Sequence, residues 1–297
     1  MSSGSLTADR RFAYAQSLKD EGDFAAAVEV MAQALEEAPR WAEGRFTLAE
    51  LLVAAGDKTR ATAAYRAYLE IEPADSMGAG ARLALLGEGA LTSLPDAYVQ
   101  RLFDQYASRF DSALVEKLCY RAPELLRAAI VAAAPGRRFV RTFDLGCGTG
   151  LAGLAIRDLT DWLGGVDLSP AMVRMANQKR AYDHLESGDM LKAVGALPQN
   201  CDLMLAADVL VYCGDLAPLF RAIAEKSTSL FAFTVQRAES GAFVLGPEQR
   251  FSHSRAYISE VAAAAGFKVL TLEDAVTRQE KGADVPGLIA VLSRELK

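Results

Sequence analysis

Phe143-Asp144-Leu145-Gly146-Cys147-Gly148-Thr149-Gly150 closes an apolar run that begins at Phe139 and leads into a helical window at 151–158. A strand that turns into a helix through three glycines offers unpaired backbone N–H groups. Without Cβ atoms it also lets a ligand come close. The spacing indicates which ligand. A dinucleotide fingerprint needs GxGxxG, but position 151 is leucine and the third glycine is Gly150. Asp144, directly ahead of the glycines, would set one negative charge against another if a pyrophosphate lay there. It suits a ligand with cationic groups and no phosphate.

On either side of this turn, apolar runs alternate with helical stretches. FVRTFDLG, WLGGVDLS, CDLMLAAD, SLFAFTVQ, FKVLTL and LIAVLS read as strands, with a weaker one at DHLESGD. Helical windows lie at 151–158, 170–180, 216–226 and 255–265. This order predicts an α/β fold, a mostly parallel Rossmann-like sheet with helices on both faces. Ligands of such sheets sit outside the carboxyl ends of the strands. Three further acids follow three further strands. Asp167, in GVDLSP beside Leu168, stands 23 residues after Asp144, where a carboxylate can accept both hydroxyls of a ribose. Asp189, in SGDM, can take an adenine amino group while Met190 and Met172 sandwich the ring. Ala206-Ala207-Asp208 ends the fourth strand. S-adenosylmethionine carries a sulfonium, an ammonium and no phosphate, and it meets this description. Any one of these acids could be a helix cap; four in order, each after its own strand, reinforce one another.

On these residues 139–297 resemble the class I, seven-stranded S-adenosylmethionine-dependent methyltransferases, with DLGCGTG as the most specific motif. The resemblance implies a strand order of 3-2-1-4-5-7-6 with the last strand antiparallel. It also implies that Asp144, Gly146, Cys147, Gly148, Asp167, Leu168, Asp189 and the Ala206–Asp208 backbone surround the cofactor. LTSLPDAYVQRLFDQYASRFDSALVEKL precedes the core, with Leu102, Phe103, Tyr106, Phe110 and Leu114 at helical spacing. Another helix is expected at 122–134. In related enzymes an aromatic FDxYAxxFD helix folds over the cofactor. This makes Tyr106 a candidate cofactor contact, and Tyr98, Phe103 and Phe110 candidates for the acceptor side of the roof.

The first ninety residues repeat. EGDFAAAVEVMAQALEEAP and AGDKTRATAAYRAYLEIEP align so that Gly22 pairs with Gly56, Asp23 with Asp57 and Pro39 with Pro73, each 34 positions apart. That is the tetratricopeptide period. Small residues (Ala15, Ala27, Ala34, Ala49, Ala61) fall where antiparallel helices must touch, and Tyr14, Leu18, Met31, Leu48, Leu52 and Tyr65 are expected to fill the spaces between. A capping helix is expected at 78–86, and Tyr68 stands where that family usually has a small residue. The division expected is a repeat domain at 1–89 and a methyltransferase domain at 90–297, comprising a helical lid (90–138) and the core (139–297). Together the two resemblances match a bacterial group of tetratricopeptide-containing methyltransferases. Two repeats can hold a peptide of a protein partner in their groove, or serve as lid, spacer or homodimer contact.

Composition narrows the rest. The 297 residues are 51% hydrophobic with a formal charge of −6, unsuited to gripping nucleic acid over a broad face. No apolar run is long enough to span a membrane. MSSGSLTADRRF has no signal-peptide core, so a cytoplasmic protein is expected. Four cysteines without a CxxC pair and only two histidines leave no metal site in view. The fourth-strand sequence ADVLVYCGD differs from the Asn/Asp-Pro-Pro-Tyr that usually accompanies adenine methylation, and no cysteine follows a proline as cytosine C5 chemistry requires. The expected acceptor is therefore an O or N nucleophile of a small molecule, the alternative being a protein recruited by the repeats. His253 is the candidate base and Tyr212 a candidate catalytic hydroxyl. Arg255, Tyr257 and Arg278, the last in a connection between the final two strands, are candidates for binding the acceptor; Arg278 and Glu280 could equally form a surface pair.

Overall fold

The computed structural model describes residues 2–107, 110, 119–280 and 282–294; Leu114 of the aromatic segment lies outside them. The chain divides into two compact units, Met1–Tyr98 and Val99–Lys297. The expected boundary between residues 89 and 90 precedes this division.

In the first unit, α1 (Leu6–Asp20) pairs with α2 (Phe24–Glu37), and α3 (Ala42–Ala54) with α4 (Lys58–Ile71). Sequence-local signals set these ends. Ser5, Asp23 and Asp57 accept backbone N–H groups from the first turns of α1, α2 and α4. Gly22 and Gly56 take φ of 84° and 82° between paired helices, a region that favours glycine. Ala15, Ala27, Ala34, Ala49 and Ala61 are fully buried where the helices meet. Tyr14 departs from expectation: it is 59% exposed and fills no core space. Tyr68, the unusual residue, is fully buried; its ring meets Phe46 edge-on and its hydroxyl accepts the Met77 N–H at 3.0 Å. A large ring thus replaces a small contact and anchors the turn before α5 (Ala79–Leu85), the expected capping helix. A further helix, α6 (Asp96–Tyr106), runs across the division.

In the second unit, α7 (Ala122–Ala133) leads into β1 (Phe139–Leu145). Then come α8 (Leu151–Ile156), β2 (Thr160–Asp167), α9 (Pro170–Gln178), β3 (His184–Ser187), α10 (Met190–Ala196) and β4 (Cys201–Ala206). They are followed by α11 (Ala217–Lys226), β5 (Ser227–Arg237), the short strands β6 (Phe243–Leu245) and β7 (Phe251–His253), α12 (Arg255–Ala264), β8 (Phe267–Glu280) and β9 (Ala283–Arg294). β3, β2, β1, β4 and β5 are parallel neighbours in that order. β9 runs antiparallel beside β5, and β8 pairs with β9 at the edge. Counting only the long strands, the order is 3-2-1-4-5-7-6, with the last strand reversed as expected.

Buried side chains pack on both faces of the sheet. Phe143, Met204, Phe231 and Phe233 meet Val194 of α10, Phe220 of α11 and Val261 of α12 in one cluster. Phe139, Leu203, Leu205 and Val291 meet Leu126 and Ile130 of α7 and Ile156 of α8 in another.

Two features differ from the sequence reading. β8 and β9 run through the expected connection, so Arg278 lies on a strand. The hairpin β6–β7 was also unforeseen. Gln236 of β5 pairs with Gly287 of β9 and with Ser252 of β7. A strand has only two edges, so β7 occupies the edge that β4 leaves free beyond Ala206. The hairpin therefore stands at the carboxyl end of β4.

Candidate functional site

The glycine turn is shaped by what packs beneath it. Gly146 has φ of 65°, and a Cβ there would stand 2.3 Å from Val209 Cγ2. Gly148, at φ 53°, has the Phe110 ring as the nearest neighbour of a Cβ. The Cys147 N–H donates to Val166 O at 2.9 Å, tying the turn to β2, and the Cys147 thiol is buried. Asp167, at the end of β2, closes the arrangement: Oδ2 accepts the Gly148 N–H at 2.9 Å and Oδ1 the Ser169 N–H at 2.8 Å. Burial pushes its carboxyl up to about 6 against these two hydrogen bonds.

Asp144 does not face the ligand side as expected. It is fully buried beneath the turn, and its Oδ2 accepts the Tyr182 hydroxyl at 2.6 Å. The Tyr182 ring occupies space that side chains at Gly150, Gly153 and Gly165 would fill, at 3.0, 2.2 and 2.8 Å from the missing Cβ atoms. Three glycines thus seat one tyrosine, and the tyrosine holds the buried acid. Desolvation raises Asp144 to about 7. Tyr182 lies in a loop after α9, and its link to glycines in two other elements has no counterpart in any short motif.

Leu168 is half-buried behind Asp167. Asp189 is partly exposed and caps α10 by accepting the Lys192 N–H at 2.9 Å. The two methionines expected to flank a ring have unlike surroundings: Met172 is fully buried in the first turn of α9, while Met190 is half-buried. Ala206 is fully buried at the end of β4.

The aromatic roof forms in part. Phe103 of α6 meets Phe110 edge-on at 5.8 Å and Tyr212 at 5.4 Å, so three rings converge beside Gly148. Tyr106 does not join them; it is 51% exposed. Tyr98, half-buried, belongs to the first unit. A residue missed by the sequence reading ties α6 down. Asp104 accepts the Ser169 hydroxyl at 2.6 Å and the Ala171 N–H at 3.3 Å, adding a second acceptor to the start of α9, which Ser169 itself caps.

Past β4 stands a charged group. Asp208 has φ of 57°, a left-handed conformation that aspartate tolerates better than most residues. Its N–H donates to Thr234 Oγ1 at 2.9 Å. Its Oδ2 accepts from Arg278 Nη1 at 2.5 Å, while Arg278 Nε donates to Glu280 Oε1 at 3.0 Å. Arg250 pairs with the same Glu280 oxygen and with Tyr212. Burial raises both Tyr212 and Tyr120, the latter close to Asp208 and Arg278. Arg278 is thus not on the surface: 2% of its side chain is exposed.

The other acceptor-side candidates are placed differently from expectation. His253 is fully buried on β7, where Nε2 meets the carbonyls of Cys213 and Gly214 at 2.8 and 3.1 Å. Carbonyls only accept, so Nε2 carries the proton. Burial lowers the imidazole to about 4. The ring fastens the segment after β4 to the hairpin and is not placed as a base. Tyr257 stacks on that ring; its hydroxyl donates to Asp215 and accepts the Leu216 N–H at 2.8 Å. Arg255 is exposed and turns to Leu272 O and Asp274 on β8. Neither Arg255 nor Tyr257 joins the group around Asp208.

Residues 18–85 match the family described as tetratricopeptide repeat, and residues 143–226 match the methyltransferase domain family. A curated relative, the malonyl-[acyl-carrier protein] O-methyltransferase of Enterobacter lignolyticus, is 30% identical over 116 residues, 38% of this chain. The match spans 45% of that relative, less than half its length. Among solved structures, a chain of the complex between the Haloferax volcanii Trm112 methyltransferase activator and a methyltransferase aligns at TM-score 0.50 and 20% identity. It covers 65% of this chain and 98% of that one. DhpI in complex with SAH aligns at TM-score 0.50 and 17% identity, over 68% of this chain and 98% of that one. These likenesses show the fold. Taken with the long-strand order and the two family matches, they give the chain a tetratricopeptide repeat segment followed by a methyltransferase domain of the class I fold.

Proposed function

We propose that the protein binds S-adenosylmethionine and transfers its methyl group, by in-line displacement, to an O or N nucleophile of a small molecule. One observation carries this reading. Asp167 holds its carboxylate against the bare backbone of Gly148, beside the converging rings of Phe103, Phe110 and Tyr212. A nucleoside with free ribose hydroxyls and no phosphate fits such a place. The carboxylate exchanges backbone N–H donors for hydroxyl donors, and the glycine turn leaves room that a side chain would take. When bound, the cofactor supplies a methyl group activated by its sulfonium. The chain's own part is alignment: Asp167 and the glycine turn fix one partner, while the segment beyond β4 fixes the other. Proximity of this kind removes much of the barrier. With His253 lowered to about 4 and donating to carbonyls, the reading assigns the protein no imidazole base, and acceptors that lose their proton readily suit it.

Calorimetry with S-adenosylmethionine tests the first half. The unmodified protein is expected to bind and Asp167→Ala to bind at least about tenfold more weakly; no heat with the unmodified protein would overturn the reading. For the second half, methyl-labelled cofactor and cell lysate are incubated with the protein and separated by size. Label in the small-molecule fraction is expected. The repeat match over residues 18–85 favours one other reading, a protein acceptor recruited by the repeats, and label confined to macromolecules would establish it instead. Four cysteines without a CxxC pair suit a reducing compartment such as the cytoplasm, and no described helix is long and apolar enough to cross a membrane.

A further inference from the structure

Arg278 is held in a way that neither the fold nor the neighbouring charges explain. β8 pairs with β9 at Val276↔Pro286 and again at Gln279↔Asp284, so β8 carries one extra residue in that interval. Such a bulge re-aims side chains. Here it turns two consecutive residues inward, leaving Thr277 3% and Arg278 2% exposed where a regular strand would alternate. A guanidinium is buried at a cost unless it is paired and hydrogen-bonded. Nη1 and Nε are satisfied, by Asp208 and Glu280. Nη2 is not: it is buried and has no hydrogen-bond partner among the described residues. The carboxylates of Asp208 and Glu280 offset the charges of Arg278 and Arg250, so the group is neutral as it stands. What is missing is an acceptor of hydrogen bonds at Nη2.

The location says where that acceptor comes from. Val209, next to Asp208, packs directly on Gly146, so the guanidinium grips the residue adjoining the glycine turn. We propose that Arg278 Nη2 receives a carboxylate of the methyl acceptor, which makes the acceptor class small carboxylic acids. This rests on the small-molecule methyltransferase reading above. Charge selects the carboxylate over other acceptors of hydrogen bonds. The cofactor of that reading brings one positive charge at its sulfonium beside a neutral group, and one carboxylate balances it. A phosphate dianion would exceed it and would crowd Asp208 and Glu280. Asp208 and Glu280 act as positioning residues, holding the guanidinium plane through its other two nitrogens.

The test uses the unmodified full-length chain, methyl-labelled S-adenosylmethionine and a deproteinised bacterial metabolite extract. Half of the extract is treated with carbodiimide and methylamine, which convert carboxylates to neutral amides and leave alcohols in place. Labelling of small molecules is expected in the untreated half and at least a tenfold loss in the treated half. Equal labelling of both halves would overturn the proposal. Cofactor binding is measured alongside by calorimetry, which separates the ways of failing. Binding without any labelled small molecule removes the small-molecule reading, and no binding removes the methyltransferase reading; this inference falls with either. Arg278→Lys keeps the charge but loses the fork. It is expected to raise KM for the labelled acceptor at least tenfold while cofactor affinity stays within twofold; an unchanged acceptor KM would also overturn the proposal. The chemical-blocking comparison needs no variant and holds even if Arg278→Lys does not fold.

Discussion

Asp144 is the residue whose surroundings most change its chemistry. Burial lifts its carboxyl from 3.8 to about 7, with the Tyr182 hydroxyl opposing the shift. The folded chain therefore keeps a proton that the unfolded chain releases near pH 4. Stability from this group is complete below that value and falls as pH rises through about 7. The ligand-free protein is expected to melt at progressively lower temperature across this range, with a slope of up to about 1.4 kcal/mol per pH unit from this one group. Asp167, whose carboxyl is raised to about 6, adds a slope of the same sign below that pH. Asp144→Asn, neutral throughout, is therefore expected to flatten the dependence between about pH 6 and 7 and only to reduce it below, in a thermal-melt series. An unchanged slope between about pH 6 and 7 would remove Asp144 as its source. Gly146 makes a second case. A methyl group 2.3 Å from Val209, on backbone at φ 65°, is expected to cost about 1–3 kcal/mol as overpacking. Denaturant melts of Gly146→Ala will show it as a lower midpoint at unchanged slope. At this scale the motif was readable and its internal bonding was not. The glycines, Asp144 and Asp167 are contiguous with their strands, whereas Tyr182 reaches them from a loop whose sequence carries no sign of where it folds back.

α6 and the β6–β7 hairpin are the elements that finish the site. The helix is fastened by Asp104 on the Ser169 hydroxyl at 2.6 Å. Asp104→Ala is expected to cost about 0.5–2 kcal/mol, the range of a lost helix cap. It is also expected to weaken cofactor binding several-fold, because Phe103 rides on the same helix; calorimetry that finds affinity unchanged would detach the helix from the site. The aromatic spacing from Phe103 to Phe110 was legible, but which rings converge was not: Phe103 of α6 meets Phe110, and Tyr106 stays exposed. A helix of this amphipathicity shows that it has a buried face, and the tie through Asp104 decides the rotation. The hairpin explains why His253 reads as a candidate base and behaves as a fastener. A three-residue strand such as Phe251–His253 is too short to show a period, and its partner β5 is distant in the chain. Once paired, it places the imidazole under the backbone carbonyls of Cys213 and Gly214.

Across the molecule, the two units keep separate cores. The repeat unit packs Met31, Leu52, Tyr65 and their neighbours into one cluster, and the sheet has its own on each face. Overpacking the repeat core should therefore leave the site alone. Ala49→Leu, at a fully buried helix contact, is expected to cost about 1–3 kcal/mol while cofactor affinity by calorimetry stays within twofold. A larger change in affinity would show that the units are energetically coupled.

The repeat, its 34-residue period and the alternation of strand and helix were determined by the sequence alone. They are written in local signals: a cap, a glycine turn, a hydrophobic period, an acid at the end of a strand. So was the glycine turn with Asp167, because both sit at strand ends whose order follows the chain. Only the tertiary structure decided the charged group past β4. Arg278, Glu280, Arg250 and Asp208 come from one strand and two loops, and one extra residue in β8 makes an arginine expected either to bind the acceptor or to pair at the surface the most buried charge of the group. Burial and pairing across the sheet depend on register, and a one-residue shift in register leaves no mark in composition or spacing.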